Sequence, residues 1–221
     1  MNRGRTRFTP IESRLGSILG KLKLGAWSHY RAGGFEVDFV LHEYLVGLEA
    51  DGELYHSSLE AARKRDLKDA WFGARGYCIL HLTGSVIMND APLAVRLIQE
   101  TVARARSRPP APISTLRPGS QEIVEAAVWK VWPPRDVKRA SGAIDTIQEA
   151  VLDDGTGQIL LVLQSRRPRG FSPGDRIRVV GATVTGYSGH PRIVVGPTTR
   201  IRRLGPVDES QDRGPARTRA E

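Results

Sequence analysis

The segment after Arg106 constrains this chain most. Ser107-Arg108-Pro109-Pro110-Ala111-Pro112, with Pro118-Gly119 behind it, lacks the backbone donors and the freedom in φ that a helix interior needs. Before this segment the pattern mixes helical and strand periodicity; after it, short apolar runs are separated by glycine-rich turns. The expected organisation is an α/β domain over 1–106, a stiff proline-rich linker over 107–121, an all-β barrel over 122–205 and a disordered tail over 206–221. A chain of 221 residues is long enough for two compact cores.

In the first half, Thr9-Pro10-Ile11-Glu12 supplies an N-cap, a first-turn proline and a capping-box glutamate. Ile11, Leu15, Ile18, Leu19 and Leu22 then predict a helix to about Lys23. Gly16 to Leu22 superficially resembles a phosphate-binding loop, but it is one residue short and lies inside the helical pattern. Phe35, Val37 and Phe39 alternate with Glu36 and Asp38, the period of a half-buried strand. In the next run, Val46, Leu48 and Ala50 share one face, and Gly47, Glu49 and Asp51 the other. A hairpin of these two strands is expected to gather Asp38, Glu49 and Asp51 at one end of a sheet. Carboxylates that close repel one another and need a cation or a set of donors, and hard oxygen ligands suit Mg2+ or Mn2+. Ser57-Ser58-Leu59-Glu60 opens a second predicted helix closed by Gly76, followed by a buried strand over 77–82 and a helix from about Asn89.

Thirty-three Lys and Arg against 24 Asp and Glu give a net charge of +9, which favours a polyanionic partner such as nucleic acid. The single cysteine, Cys78, excludes an internal disulfide and a multi-cysteine zinc site, and its apolar neighbours predict a buried structural thiol. No apolar run reaches the length of a membrane span and the Arg-rich start lacks a signal-peptide core, so a soluble, cytoplasmic protein is expected.

Val37-Asp38-Phe39, Leu48-Glu49-Ala50-Asp51-Gly52, Tyr55-His56, Arg65-Asp66-Leu67-Lys68 and Gly76-Tyr77 resemble the very-short-patch-repair endonuclease branch of the PD-(D/E)XK nuclease superfamily. The likeness covers roughly residues 9–102 and implies a restriction-endonuclease-like fold, a mixed sheet flanked by helices. It implies Asp38 as principal metal ligand, Glu49 as the second acid, and Asp51 where many superfamily members carry lysine. His56 then falls at a general-base or proton-shuttle position. Glu12 would be a further ligand, although its capping position explains it equally well. Arg65 and Lys68 would contact phosphate oxygens from the second helix. His81, on an apolar strand, reads as a satisfied core or edge histidine.

In the second half, predicted strands fall at 124–132, 143–152, 158–164, 175–184 and 191–196. Asp153-Asp154-Gly155, Phe171-Ser172-Pro173-Gly174-Asp175 and Gly186-Tyr187-Ser188-Gly189, in this order, resemble the OB fold of archaeal-type single-stranded DNA-binding proteins and replication protein A. The likeness implies aromatic platforms in a basic groove, with Tyr187 at a matching aromatic position; Trp132 would compensate for platforms absent at Gln164 and Thr183, and Arg167 and Arg178 would face phosphates. Gln164 departs from the tryptophan usual at its position; Trp129 is expected to pack in the barrel or at its rim. The combined expectation is a Mg2+- or Mn2+-dependent DNA endonuclease or nickase directed to single-stranded, mismatched or branched DNA. The alternative is a non-catalytic DNA-binding or partner-docking protein on a degenerate nuclease scaffold; beyond DNA, the partners considered are another protein or a second copy of the chain.

Overall fold

The computed structural model describes residues 8–52, 59–138, 142, 144–164, 170–196 and 198–206. The tail expected to be disordered therefore lies, from 207 on, outside the described residues. The chain begins with helix α1 (Pro10–Lys21), closed at its start by the anticipated capping box: Glu12 N donates to Thr9 Oγ1 at 3.2 Å and Thr9 N to Glu12 Oε2 at 2.7 Å. Strands β1 (Trp27–Ala32), β2 (Phe35–Leu41) and β3 (Val46–Asp51) follow as an antiparallel meander. Helix α2 (Leu59–Gly73) then crosses over, and β4 (Cys78–Thr83) lies parallel to β3 at the sheet edge. Helices α3 (Gly84–Asn89) and α4 (Ala91–Arg106) complete this half.

Strand β1 was not anticipated from the sequence. It is an edge strand with little apolar alternation, joined to β2 through Gly33-Gly34, both at positive φ, the backbone that a two-residue hairpin turn requires. The single helix expected from Asn89 is preceded by the separate turn-and-a-half of α3, capped by Thr83. Cys78 is exposed, not buried, because it opens the edge strand β4 and alternates against the inward Tyr77.

Two cores belong to this half. Leu15, Ile18 and Leu19 of α1 and Ile98 and Val102 of α4 cover the sheet face carrying Phe39, Val46 and Leu48. The other face, with Val37 and Val40, takes Phe72 of α2 and Tyr77, and this second cluster continues into Ile123 and Val180 of the following β region.

That region comprises β5 (Gln121–Val131), β6 (Arg135–Lys138), β7 (Ile144–Asp153), β8 (Gln158–Gln164), β9 (Asp175–Tyr187), β10 (His190–Val195) and β11 (Arg200–Pro206). Its pairings run β5–β7–β8–β10–β9 and back to β5, so five strands close on themselves, with β10 parallel to β8 and the rest antiparallel. Counting those five in chain order, the ring reads first, second, third, fifth, fourth: the Greek-key barrel of an OB fold. The core is filled by alternating inward residues, among them Val128, Leu152, Leu161, Ile177 and Ile193. Strands β6 and β11, not anticipated, are short additions on β7 and β9.

The proline-rich segment is not a free spacer. Ile113 and Leu116 are buried in the barrel core, Ile113 N donates to Asp154 Oδ2 at 2.7 Å, and Ala111 N donates to Ile123 O at 2.8 Å. Arg108 Nη1 donates to Gly76 O at 2.6 Å, so the same segment also ties back to the α/β half. At this junction a bulge in β9 places Gly181 at φ 70°, where a Cβ would stand 3.3 Å from Leu45 Cδ2.

His42 is buried in the junction, Nδ1 2.9 Å from Tyr77 Oη, with Trp27 and Tyr30 rings edge-on to it. Burial, reinforced by the Arg200 charge, pushes its pKa down to about 4. The unfolded chain therefore binds a proton between pH 6.5 and 4 that the folded chain refuses, so stability falls as pH drops through this window. Removing the imidazole in His42→Phe is expected to flatten the pH dependence of thermal unfolding there, by an amount on the order of 3 kcal/mol across the window.

Candidate functional site

The hairpin of β2 and β3 brings two of the three predicted acids together. Phe39 pairs with Leu48, which sets Asp38 beside Glu49 and lets Ala50 N donate to Asp38 Oδ2 at 2.8 Å. Burial raises the Asp38 pKa above the ordinary carboxylate range; the Ala50 amide opposes this and the charge of Glu12 adds to it. Glu49 is only 8% exposed. Burial pushes it up to about 7, against the pull of Lys68, and the Asp38 charge pushes the same way. Lys68 of α2 places Nζ 2.7 Å from Glu49 Oε1. Lys68 thus brings an ammonium to the site from the covering helix.

Asp51 does not join the pair as expected. Its Oδ2 lies 3.0 Å from His81 Nδ1, and His81 Nε2 lies 3.0 Å from Asp69 Oδ2. The hydrogen bond to Asp51 raises the His81 pKa, with Asp69 adding to it, and the ring pins β3, β4 and α2 by bridging the two carboxylates. The parallel register, Glu49 beside His81 and Asp51 beside Thr83, is what carries His81 to this end of the sheet. Among the described residues no three His, Cys, Asp or Glu side chains form a ready-made metal cluster. Glu12 faces Asp38 electrostatically while its Oε2 accepts from Thr9 N. Arg65 stands on α2 one turn before Lys68. His56 lies outside the described residues.

Sequence reasoning missed two members of this neighbourhood, Asp69 and His29. Asp69 follows Lys68 on α2. His29 of β1 sits across the ladder from Asp38, between the pairs Ser28–Phe39 and Tyr30–Val37. The Gly33-Gly34 turn was the available signal for β1 and hence for His29.

On the barrel, Trp132 N donates to Glu149 O at 2.9 Å, which seats the indole at the start of the loop after β5, beside Leu160 and Glu149. The Lys130 ammonium lies 4.8 Å from the Trp132 ring centroid. Tyr187, 62% exposed at the end of β9, carries the Arg192 guanidinium 4.5 Å above its ring. Trp129 is 60% exposed rather than packed in the barrel, because the bulge between Val128 and Lys130 turns it outward. Arg178 does not face this surface: it is ion-paired with Glu125, donates to Arg108 O, and pairs with β5 and β11 nine residues before Tyr187. Arg167 lies outside the described residues. No helix among the described residues is long and apolar enough to cross a membrane.

No protein-family model and no curated protein matches the chain. Among solved structures, the chain is similar to the catalytic domain of the homing endonuclease I-Bth0305I, at 23% identity over 45% of this chain and 100% of that one, with a TM-score of 0.40. It is also similar to the second OB-fold domain of replication protein A from Methanococcus maripaludis, at 23% identity over 42% of this chain and 93% of that one, TM-score 0.38. A third is the replication factor A related protein from Methanobacterium thermoautotrophicum, at 23% identity over 42% of this chain and 89% of that one, TM-score 0.37.

Proposed function

We propose that the chain is a divalent-metal-dependent deoxyribonuclease, an endonuclease or nickase, whose barrel directs it to single-stranded, mismatched or branched DNA. One observation carries the reading: two neighbouring carboxylates, Asp38 and Glu49, are both held above their ordinary pKa by burial, with a lysine at contact distance. Desolvated paired acids are the situation a cation relieves. Mg2+ is commonly held by one or two carboxylates, keeping waters and taking substrate phosphate oxygens for its remaining positions, so the pair fits such an ion without a third acid. Asp38 and Glu49 would hold it, and Asp51, committed to His81, would not. When bound, such an ion lowers the pKa of a coordinated water and screens the scissile phosphate. Lys68 supplies a cation for a phosphate oxygen beside Glu49, and Ala50 N orients Asp38. The sequence resemblance over residues 9–102, and a mixed sheet whose acidic strands sit between α1 and α2, support the same reading.

The barrel contributes Trp132, beside the apolar Leu160, and Tyr187 as exposed rings, each with its own cation. Such rings stack bases regardless of sequence. Trp132→Ala and Tyr187→Ala are each expected to weaken single-stranded oligonucleotide binding by about 1–3 kcal/mol, roughly 5- to 150-fold, with duplex binding changed far less. Fluorescence anisotropy at fixed salt reads both.

The neutralisation of Glu49 by Lys68 and the diversion of Asp51 favour a second reading, a DNA-binding scaffold without catalysis. Incubating the full chain with single-stranded, duplex, mismatched and flapped DNA, with Mg2+ or Mn2+ and with chelator, separates them. Metal-dependent scission of at least one substrate is expected; intact DNA throughout, with binding retained, selects the scaffold.

A further inference from the structure

Three features of His29 are unaccounted for by the fold. It is a non-glycine residue at φ 48° within a β-strand, a conformation that costs free energy and persists where the surroundings enforce it. It faces Asp38 across the β1–β2 ladder, at the one position there for which no regular pairing is formed. Its Nδ1 lies 3.1 Å from Glu36 Oε1, while its Nε2 is buried without a hydrogen-bond partner among the described residues. Glu36 is itself held by Arg31 through its other oxygen.

A carboxylate at Nδ1 fixes the ring proton there and orients the imidazole, leaving Nε2 of the neutral ring as an acceptor. Phe8 stands on one side of the ring, centroids 4.9 Å apart, and stacks on Phe39 at 5.9 Å, so the imidazole is confined. A base, an orienting carboxylate behind it and a neighbouring acidic pair is the arrangement by which a hydrolytic centre handles a proton. The electrostatic influence of His29 on Asp38 places the two in one field.

The geometry points to His29 as the proton acceptor of the phosphodiester-cleaving centre, with Arg31 and Glu36 as its positioning residues; this rests on the nuclease reading above. A water oxygen bonds to phosphorus while its proton passes to His29 Nε2. The bond from phosphorus to the leaving nucleotide oxygen breaks, that oxygen takes a proton from solvent, and the imidazolium returns its proton to solvent. No oxidant or further reactant is required.

The test compares the wild-type full chain with His29→Ala and Glu36→Ala, using the DNA substrate that the wild type cleaves and Mn2+ as the titrated ion. His29→Ala is expected to lower kcat by about 10²- to 10⁴-fold, with Mn2+ affinity and DNA affinity within about threefold of wild type and partial recovery in added imidazole. Glu36→Ala, in which only the orienting group is lost, is expected to lower kcat by roughly 10-fold or more through ring misplacement alone, and it carries the test should His29→Ala fail to fold. Turnover near wild type in either folded variant overturns the assignment while leaving the nuclease reading intact. So does loss of Mn2+ affinity in parallel with turnover, which would make His29 a structural support. A wild type that binds Mn2+ and DNA but cleaves nothing overturns the parent reading and this one together.

Discussion

Asp38→Ala is expected to reduce metal-dependent DNA cleavage by at least about 10³-fold, a loss of roughly 4 kcal/mol or more of transition-state stabilisation, while leaving oligonucleotide binding by the barrel nearly unchanged. Asp38 is the acid whose position the backbone itself dictates, through the Ala50 amide 2.8 Å from Oδ2. Glu49→Gln removes the second oxygen charge but preserves volume, and is expected to cost nearly as much turnover. Its effect on stability has the opposite sign: with its pKa pushed up to about 7, the buried Glu49 destabilises the fold once ionised, so the amide should melt higher than wild type at pH 8 without metal. Lys68 would then lose its partner, which limits that gain. A variant pair that loses cleavage while one member gains stability is the signature of a site maintained for function rather than folding. Single-turnover cleavage and thermal unfolding on the same preparations measure both.

Phe72→Ala is expected to be among the most damaging core substitutions, at about 3–5 kcal/mol. The phenyl ring is fully buried between Val37, Val40, Leu45 and Tyr77 on one side of the chain and Ile123 and Val180 on the other. Its loss opens a cavity where the α/β half and the barrel share a core, and thermal unfolding should fall by roughly 6–20 °C. The exposed Leu67, five residues earlier on the same helix, provides the control: Leu67→Ala should shift stability within about 0.5 kcal/mol. If Phe72→Ala were as mild as Leu67→Ala, the shared core would not be a stabilising contact.

Period and turn chemistry carried the parts of this fold that were legible from residues. Alternation in 35–39 and 46–51 placed β2 and β3, and the apolar run 158–164 matched β8 residue for residue, because each buries apolar side chains in a core. The polar edge strands were missed. β1, β6 and β11 are polar or arginine-rich and are held by pairing with a neighbour, which leaves little local apolar signal. The segment 107–121 was misjudged because proline content describes stiffness, not location; Ile113 and Leu116, three apart, were the overlooked sign that it folds onto the barrel.

The acidic pair was legible for the same reason as its hairpin. The fate of Asp51 was not: its partner His81 lies thirty residues on, in register only through a parallel crossover, and Asp69 comes from the helix between. Lys68 was legible as a cation of the second helix, but its pairing with Glu49 was not, since it depends on how that helix crosses the sheet. The aromatic surface of the barrel was half legible. Trp132 and Tyr187 are exposed at loop junctions, but whether Arg178 faced nucleic acid or Glu125 depended on a cross-strand pairing.

Calorimetric titration of the wild-type chain with Mn2+ at pH 7.5, alongside Asp38→Ala, tests the central claim most directly. One saturable binding event in the wild type that vanishes in the variant is the predicted result. Heats indistinguishable between the two, whether both absent or both present, would contradict a metal site built on Asp38 and Glu49.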